Sequence, residues 1–159
     1  MEIKVQKLTA EAFAQYGQVI NLSPAAEPTA GSDDFSYWKQ QLVFDITGPA
    51  EIGVLKTKKH EMIFDQIEQH TETPEILIGL GGGFIIPVAP PSDDVPDPEK
   101  IEAFEVSANQ AIMMKTNCWH WLPNPADKDE LTIMVLFKNN TSADDLVIKD
   151  LPLQCTVVS

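Results

Sequence analysis

An all-β fold, either a sandwich or a barrel, is predicted by three features of this chain. Short runs with β-branched and aromatic residues recur from residue 42 onward. Gly, Pro, Asn and Asp separate these runs at intervals of about ten residues, the spacing typical of such folds. Helical periodicity is absent over the same region. The predicted strands are 42–46, 52–56, 62–68, 75–80, 84–88, 103–106, 111–115 and 131–137.

The N-terminal part predicts one strand, one short helix and a loop before the β region. Ile3–Val5 has strand character. Thr9 is a good helix N-cap, Ala and Glu follow it, and Gly17 is a typical helix stop. The segment 23–34 is rich in Pro, Ala, Gly, Ser and Asp, which indicates a surface loop.

Two connections are predicted inside the β region. The segment 87–98 is rich in proline and aspartate, which indicates a stiff exposed connection. The glycines between residues 79 and 83 do not open a helix after a strand, so they do not form a nucleotide-binding fingerprint. They predict a tight hairpin instead.

Bulk composition limits the function classes. The 159 residues favour a single domain covering residues 1–159. There are 24 acidic residues against 11 lysines, with no arginine, and the net charge of −13 argues against nucleic-acid and membrane partners. The first residues do not resemble a signal peptide and no apolar run is long enough to span a membrane, so we expect a cytoplasmic protein. Cys118 and Cys155 alone do not form a disulfide framework.

The stretch from Thr116 to Pro125 is the first candidate for chemistry. His120 lies between Trp119 and Trp121 and just before the apolar run 131–137. Large neighbouring rings desolvate an imidazole, favour its neutral form and hold it still. A second stretch, 68–75, supplies the natural partners for His120.

Four residues in these two stretches form a candidate metal site. Glu68 and His70 are two positions apart, so they share one face of a strand, and Glu75 and His120 can approach from other strands. Two histidines with one or two carboxylates suit a divalent ion such as Mn, Fe, Ni or Zn. In the alternative interpretation, His70 is an exposed turn histidine and the two glutamates are solvated charges.

Other residues near His120 also have two interpretations. Lys115 is the nearest cation and can bind a substrate anion as a point charge, or it is a surface lysine at a strand end. Trp119 and Trp121 can form the walls of a substrate pocket, or they belong to the core or to a dimer interface. Nothing basic is placed to lower the pKa of Cys118, so we interpret it as a core residue.

The spacing of these residues resembles the cupin motifs. His70, Glu75 and Gly82 match the second histidine, the glutamate and the closing glycine of the first motif, and Glu68 stands where its first histidine belongs. His120 and Asn124 match the second motif. The resemblance implies a double-stranded β-helix, a jelly-roll barrel, with one or two short N-terminal helices.

More closely, the chain resembles the ureidoglycolate lyase family, formerly called ureidoglycolate hydrolase, a cupin branch of allantoin breakdown in purine catabolism. The segments that carry the resemblance are 8–20, Ile67–His70, Phe84–Ala89 and Asn117–His120. Two positions depart from the family pattern: Gln69 replaces an arginine and Trp121 replaces a histidine.

The resemblance implies a carbon–nitrogen lyase that converts ureidoglycolate to glyoxylate and urea. His120, His70 and Glu75 then act as acid and base or as metal ligands, and Lys115 pairs with the substrate carboxylate. The family also implies a homodimer. The absence of arginine and of the second histidine motivates one alternative, a non-catalytic or sensory cupin that binds a small polar metabolite. A metal-dependent cupin that modifies a sugar, as other cupins do, is a further alternative.

Overall fold

The computed structural model describes all of residues 1–159, and almost all of its regular structure is β. The helices are α1 (Ala10–Phe13) and α2 (Thr141–Asp144), with one 3-10 turn at Pro98–Lys100. The strands are β1 (Glu2–Lys7), β2 (Gly17–Asn21), β3 (Ala30–Gly31), β4 (Ser36–Tyr37), β5 (Ala50–Lys58), β6 (Ile63–Gln69), β7 (Glu75–Gly79), β8 (Phe84–Ala89), β9 (Glu102–Val106), β10 (Gln110–Met114), β11 (Trp119–His120), β12 (Asn124–Pro125), β13 (Glu130–Lys138) and β14 (Val147–Val158).

Six strands close into a mixed barrel in the order β11-β6-β14-β1-β9-β8, with β12 attached to β8. Closure depends on the two-residue strand β11, which pairs with both β6 and β8. Strand β1 runs parallel to its neighbours β14 and β9, and the other pairs are antiparallel. The predicted all-β barrel is therefore confirmed.

A second, antiparallel sheet has the order β2-β10-β7-β13-β5. Its inner residues and those of the barrel form one core cluster, which includes Leu77, Ile133, Ile86 and Phe104. A second cluster has members on all six barrel strands, among them Trp119. The two clusters alternate along β8 and β9, since successive side chains of a strand point to opposite faces. The candidate site therefore projects into the core between the two sheets.

The predicted helix is present but short. Thr9 is its N-cap, as expected, and its hydroxyl accepts a hydrogen bond from the Ala12 amide at 3.1 Å. Gly17, however, does not end the helix but begins β2. A Cβ at Gly17 would lie 1.8 Å from the Met113 carbonyl oxygen, so the glycine permits the close approach of β2 to β10.

The structure corrects several sequence-based predictions of strands and connections. Residues 42–46 are not a strand; Leu42 and Phe44 instead pack against the outer face of the five-stranded sheet. The longest strand, β14, was not predicted, because Pro152 and charged residues break its apolar alternation and the pairing shifts register between Asp150 and Cys155. The 87–98 connection begins only after Ala89, since β8 continues through Pro87.

The glycine-rich turn is not a hairpin. Strand β7 belongs to the five-stranded sheet and β8 to the barrel, so residues 80–83 carry the chain from one sheet to the other. Gly81 has a φ of 77°, a conformation that favours glycine. A Cβ at Gly79 would lie 2.4 Å from the Gly82 carbonyl oxygen.

Neither helix has the length and apolar character that crossing a bilayer requires.

Substitution of Gly17 tests the contact between β2 and β10. We expect Gly17→Ala to lower the free energy of unfolding by about 1–3 kcal/mol, because the new methyl group meets backbone that cannot move aside. Urea denaturation followed by tryptophan fluorescence measures this. Gly53→Ala is the matched control, since its Cβ would make only an ordinary 3.9 Å contact with Val135. Equal stabilities of the two variants would contradict the assigned role of Gly17.

Candidate metal centre

Secondary structure brings the four candidate ligands to one place between the barrel and the second sheet. Glu68 lies in β6 and His120 lies opposite it in the neighbouring strand β11. His70 follows the last residue of β6, and Glu75 is the first residue of β7 in the other sheet. The loop 70–74 therefore carries one candidate ligand at its start and leads directly into another.

Three of these side chains form a tight buried cluster. The ligand atoms of His70, Glu75 and His120 lie within 4.8 Å of one another. Oε2 of Glu75 is 3.0 Å from Nε2 of His120 and 3.5 Å from Nε2 of His70. The two imidazole rings are tilted by 54°, with centroids 5.3 Å apart. The sequence analysis predicted that His70 and His120 lie together in one site, and the structure brings them together.

Glu68 lies beside this cluster. Its Oε1 is 3.4 Å from Nε2 of His120, and its side chain is more exposed than that of Glu75, at 17% against 10%. Glu68 is thus the carboxylate of the group that solvent and small molecules reach most readily.

Mutual charge determines the protonation of the metal-free cluster. Burial alone would raise the pKa of Glu75, but the imidazolium charges of His120 and His70 outweigh it and lower the pKa to about 2. Burial would likewise lower the pKa of His120, but Glu75 and Glu68 raise it to about 10, so the expectation of a neutral His120 is wrong for the metal-free protein. The pKa of His70 is also raised, because its interaction with Glu75 outweighs the effect of burial.

The donor set and its geometry match what a divalent ion requires. Oε2 of Glu75 is buried and accepts no hydrogen bond of normal geometry, although two ring nitrogens lie close to it. Metal–ligand bonds of about 2.1 Å place adjacent ligand atoms about 3.0–3.4 Å apart at angles of about 90–110°. The observed separations of 3.0 and 3.5 Å are close to these values. Two imidazoles and a carboxylate are also a ligand set that transition metals prefer.

Hydrogen bonds orient both imidazoles with Nε2 toward Glu75. Nδ1 of His70 lies 2.7 Å from the carbonyl oxygen of Asp145, and Nδ1 of His120 lies 3.2 Å from that of Cys118. Once the ring is neutral, a backbone carbonyl at Nδ1 selects the tautomer that leaves Nε2 free to bind a metal. Phe137 meets the His70 ring edge-on at 5.7 Å and closes one side of the cluster.

The two tryptophans do not form walls of this site. Trp119 is fully buried among the residues shared by the barrel strands, and its indole nitrogen donates to Ser92 at 3.0 Å. Trp121 stacks on Phe64 and packs against the same cluster. Both follow from alternation, since residues on either side of His120 point away from it. Their predicted role in substrate binding is not supported by these positions.

Lys115 is also engaged elsewhere. Its Nζ donates to the carbonyl oxygens of Ala14 at 2.7 Å and Gln15 at 3.4 Å, just after α1, and it makes no ion pair.

Cys118 is buried in the core, as expected, and burial raises the pKa of its thiol. Asn124, the second-motif residue, bonds the backbone of His60 rather than the cluster.

Sequence reasoning missed two residues that support the site. Asn117 has a φ of 65°, and its amide donates to the His70 carbonyl oxygen at 2.7 Å, which joins the two ligand-bearing stretches. Asparagine tolerates this conformation well, so its place before Cys118-Trp119-His120 was a usable signal. Asp145 holds the His70 loop, and no local pattern marks it.

The pair formed by Glu75 and the imidazoles gives the metal-free protein a defined pH dependence. Its full stabilisation is expected above the unfolded pKa of Glu75, 4.5, and below that of His120, 6.5. It is lost as the pH falls toward about 2 or rises toward about 10. Unfolding midpoints of wild type and Glu75→Gln across pH measure this, and the variant should show a weaker dependence. Parallel pH profiles of the two proteins would contradict the ion pair.

Comparison with known proteins finds a matching family and similar relatives. The family model for ureidoglycolate lyase matches residues 1–156. The ureidoglycolate lyase of Rhodobacter capsulatus is 29% identical over 128 residues, covering 77% of this chain and 78% of that protein. The one from Pseudomonas aeruginosa is 30% identical over 131 residues, covering 74% and 73%.

A solved structure of oxalate decarboxylase is also similar, with a TM-score of 0.44 and 13% identity. The match covers 64% of this chain and 24% of that one, and a likeness of this size carries no argument about function. The family match is different in kind, because it extends over nearly the whole sequence, including all four candidate ligands. On that ground the chain belongs to the ureidoglycolate lyase family.

Proposed function

We propose that this protein cleaves the carbon–nitrogen bond of ureidoglycolate and releases glyoxylate and urea. Family membership indicates the reaction, and the buried cluster of His70, Glu75 and His120 is the single observation that carries the proposal. The two alternatives, a sensory cupin and a sugar-modifying cupin, are not favoured by any of the relatives.

The reaction requires two proton movements. A base removes the proton of the substrate hydroxyl group, and an acid supplies one to the urea nitrogen as the carbon–nitrogen bond breaks. Glu68 is suited to both, because it is the most accessible carboxylate of the group and lies 3.4 Å from His120. In this proposal Glu68 accepts the hydroxyl proton and returns it to the departing nitrogen.

His70, Glu75 and His120 would hold a divalent ion, with Ni, Mn, Fe and Zn as the candidates. Such an ion would polarise the hydroxyl and carboxylate groups of the substrate. It would also supply positive charge near a substrate carboxylate, since the chain has no arginine and Lys115 bonds backbone carbonyls. The histidines would have to release their protons first, so metal binding should strengthen as the pH rises.

An assay of urea release tests the function directly. Protein supplied with Mn, Ni or Zn is expected to release urea from ureidoglycolate, and His120→Ala should lower the rate by about a hundredfold or more, because it removes a group in contact with both carboxylates. His60→Ala is the matched control, since the His60 side chain is exposed and its ring contacts only the Lys58 carbonyl oxygen. Absence of urea with all three metals would remove the proposal.

We also infer that the protein works in the cytoplasm as a homodimer. Support for pairing comes from β5, the edge strand of the second sheet, whose outward-facing Ile52 and Val54 are 64% and 67% exposed. A long edge strand with apolar side chains is a ready surface for pairing with another chain. An antiparallel β5–β5 pair around a two-fold axis would join the two sheets through their backbones and bring these side chains into cross-strand contact.

The oligomeric state can be measured by sedimentation equilibrium. Wild type should have twice the mass of one chain, and Val54→Lys should shift it to the monomer, because pairing would bring two like charges together. Ile63→Lys, which adds a charge at an exposed apolar residue of the barrel, is the control and should stay dimeric. A monomeric wild type would contradict the inference, and a dimeric Val54→Lys would place the interface elsewhere.

A further inference from the structure

Asp145 is buried and forms no direct ion pair, which is an expensive position for a carboxylate. It is 5% exposed and takes part in none of the ion pairs of the structure. Buried charges of this kind persist where hydrogen bonds satisfy them. The partners of Asp145 therefore indicate its role.

All of its side-chain hydrogen bonds go to the loop that starts at His70. Oδ1 accepts hydrogen bonds from the Thr71 amide at 2.7 Å and the Thr71 hydroxyl at 2.8 Å, and Oδ2 accepts one from the Glu72 amide at 2.8 Å. Hydrogen bonds to an ionised acceptor are stronger than those between neutral groups. The carboxylate thus fixes two successive backbone amides of a loop that has no strand partner.

The backbone of the same residue holds the imidazole ring. The carbonyl oxygen of Asp145 lies 2.7 Å from Nδ1 of His70, so one residue fixes both the ring and the peptide that follows it. Asp145 itself is positioned by α2, since its amide donates to the Thr141 carbonyl oxygen at 2.9 Å. Because His70 lies beyond the last residue of β6, strand pairing alone does not set its orientation.

We propose that Asp145 is the positioning residue of the metal centre. Its carboxylate anchors the 70–74 loop so that Nε2 of His70 faces Oε2 of Glu75, which lies at the other end of that loop. The residue touches neither substrate nor metal. It acts through His70, and the inference rests on the proposed metal site.

Removal of the carboxylate leaves the backbone carbonyl in place, which makes the proposal testable. Asp145→Ala should weaken Mn²⁺ binding by about 10–100-fold, the usual effect of losing an outer partner of a metal ligand. Asp145→Asn should recover part of this affinity, because its amide oxygen can still accept the two bonds from Thr71 while its NH2 group faces the Glu72 amide. Isothermal titration calorimetry gives the affinities, and the EPR spectrum of bound Mn²⁺ reports the ligand geometry.

Asp144→Ala is the matched control. Asp144 is the preceding residue on α2, and its carboxylate accepts a hydrogen bond only from the side-chain amide of Asn140, so its loss tests the helix without touching the loop. It should bind Mn²⁺ as wild type does. Thermal unfolding of each variant shows that the chain is folded when the metal is added.

The outcomes separate this inference from the proposed function. Equal Mn²⁺ affinities and EPR spectra for wild type and Asp145→Ala would overturn the role of Asp145 and leave the metal site intact. A wild-type protein that binds no Mn²⁺, Ni²⁺ or Zn²⁺ would overturn the metal site and the role of Asp145 with it. If Asp145→Ala does not fold, Asp145→Asn and Thr71→Val decide, since each weakens the anchor; wild-type affinity in both would overturn the proposal.

Discussion

The contact of one buried carboxylate with two imidazoles is the constraint on which the rest of the site depends. Glu75 is buried at the start of β7, where an isolated negative charge would be costly. His70 and His120 supply the compensating charge in the metal-free protein, and a divalent ion would supply it when bound. Either way, the three side chains have to meet, so the strands that carry them have to meet as well.

The barrel and the second sheet achieve this through one short loop and one short strand. The 70–74 loop leaves β6 in the barrel and enters β7 in the other sheet, which places His70 and Glu75 across the gap from each other. The strand β11 then brings His120 beside Glu68 and at the same time closes the barrel. The pairing of β11 therefore both closes the barrel and assembles the site.

The two departures from the family pattern have structural roles in this chain. Gln69 is buried. In the amide orientation that satisfies its neighbours, its side-chain nitrogen donates hydrogen bonds to the carbonyl oxygens of Asn117 at 2.9 Å and Ser92 at 3.1 Å. Trp121 stacks on Phe64 on the barrel side. Neither position faces the cluster, so the loss of an arginine and a histidine there leaves the buried group of three intact.

Local pattern was enough to identify the β architecture and the two ligand-bearing stretches, because alternation, turn residues and the His70, Glu75 and His120 spacing are local properties. Local pattern was not enough for β14 or for the 42–46 segment. The register shift in β14 interrupts its sequence pattern, and the apolar residues of 42–46 pack against the sheet without pairing as a strand. Only the tertiary structure decided that Lys115 bonds the end of α1, that both tryptophans face the barrel, and that Asp145 holds His70 from 75 residues away. Each of these depends on which residues distant in the chain become neighbours, and no local pattern encodes that.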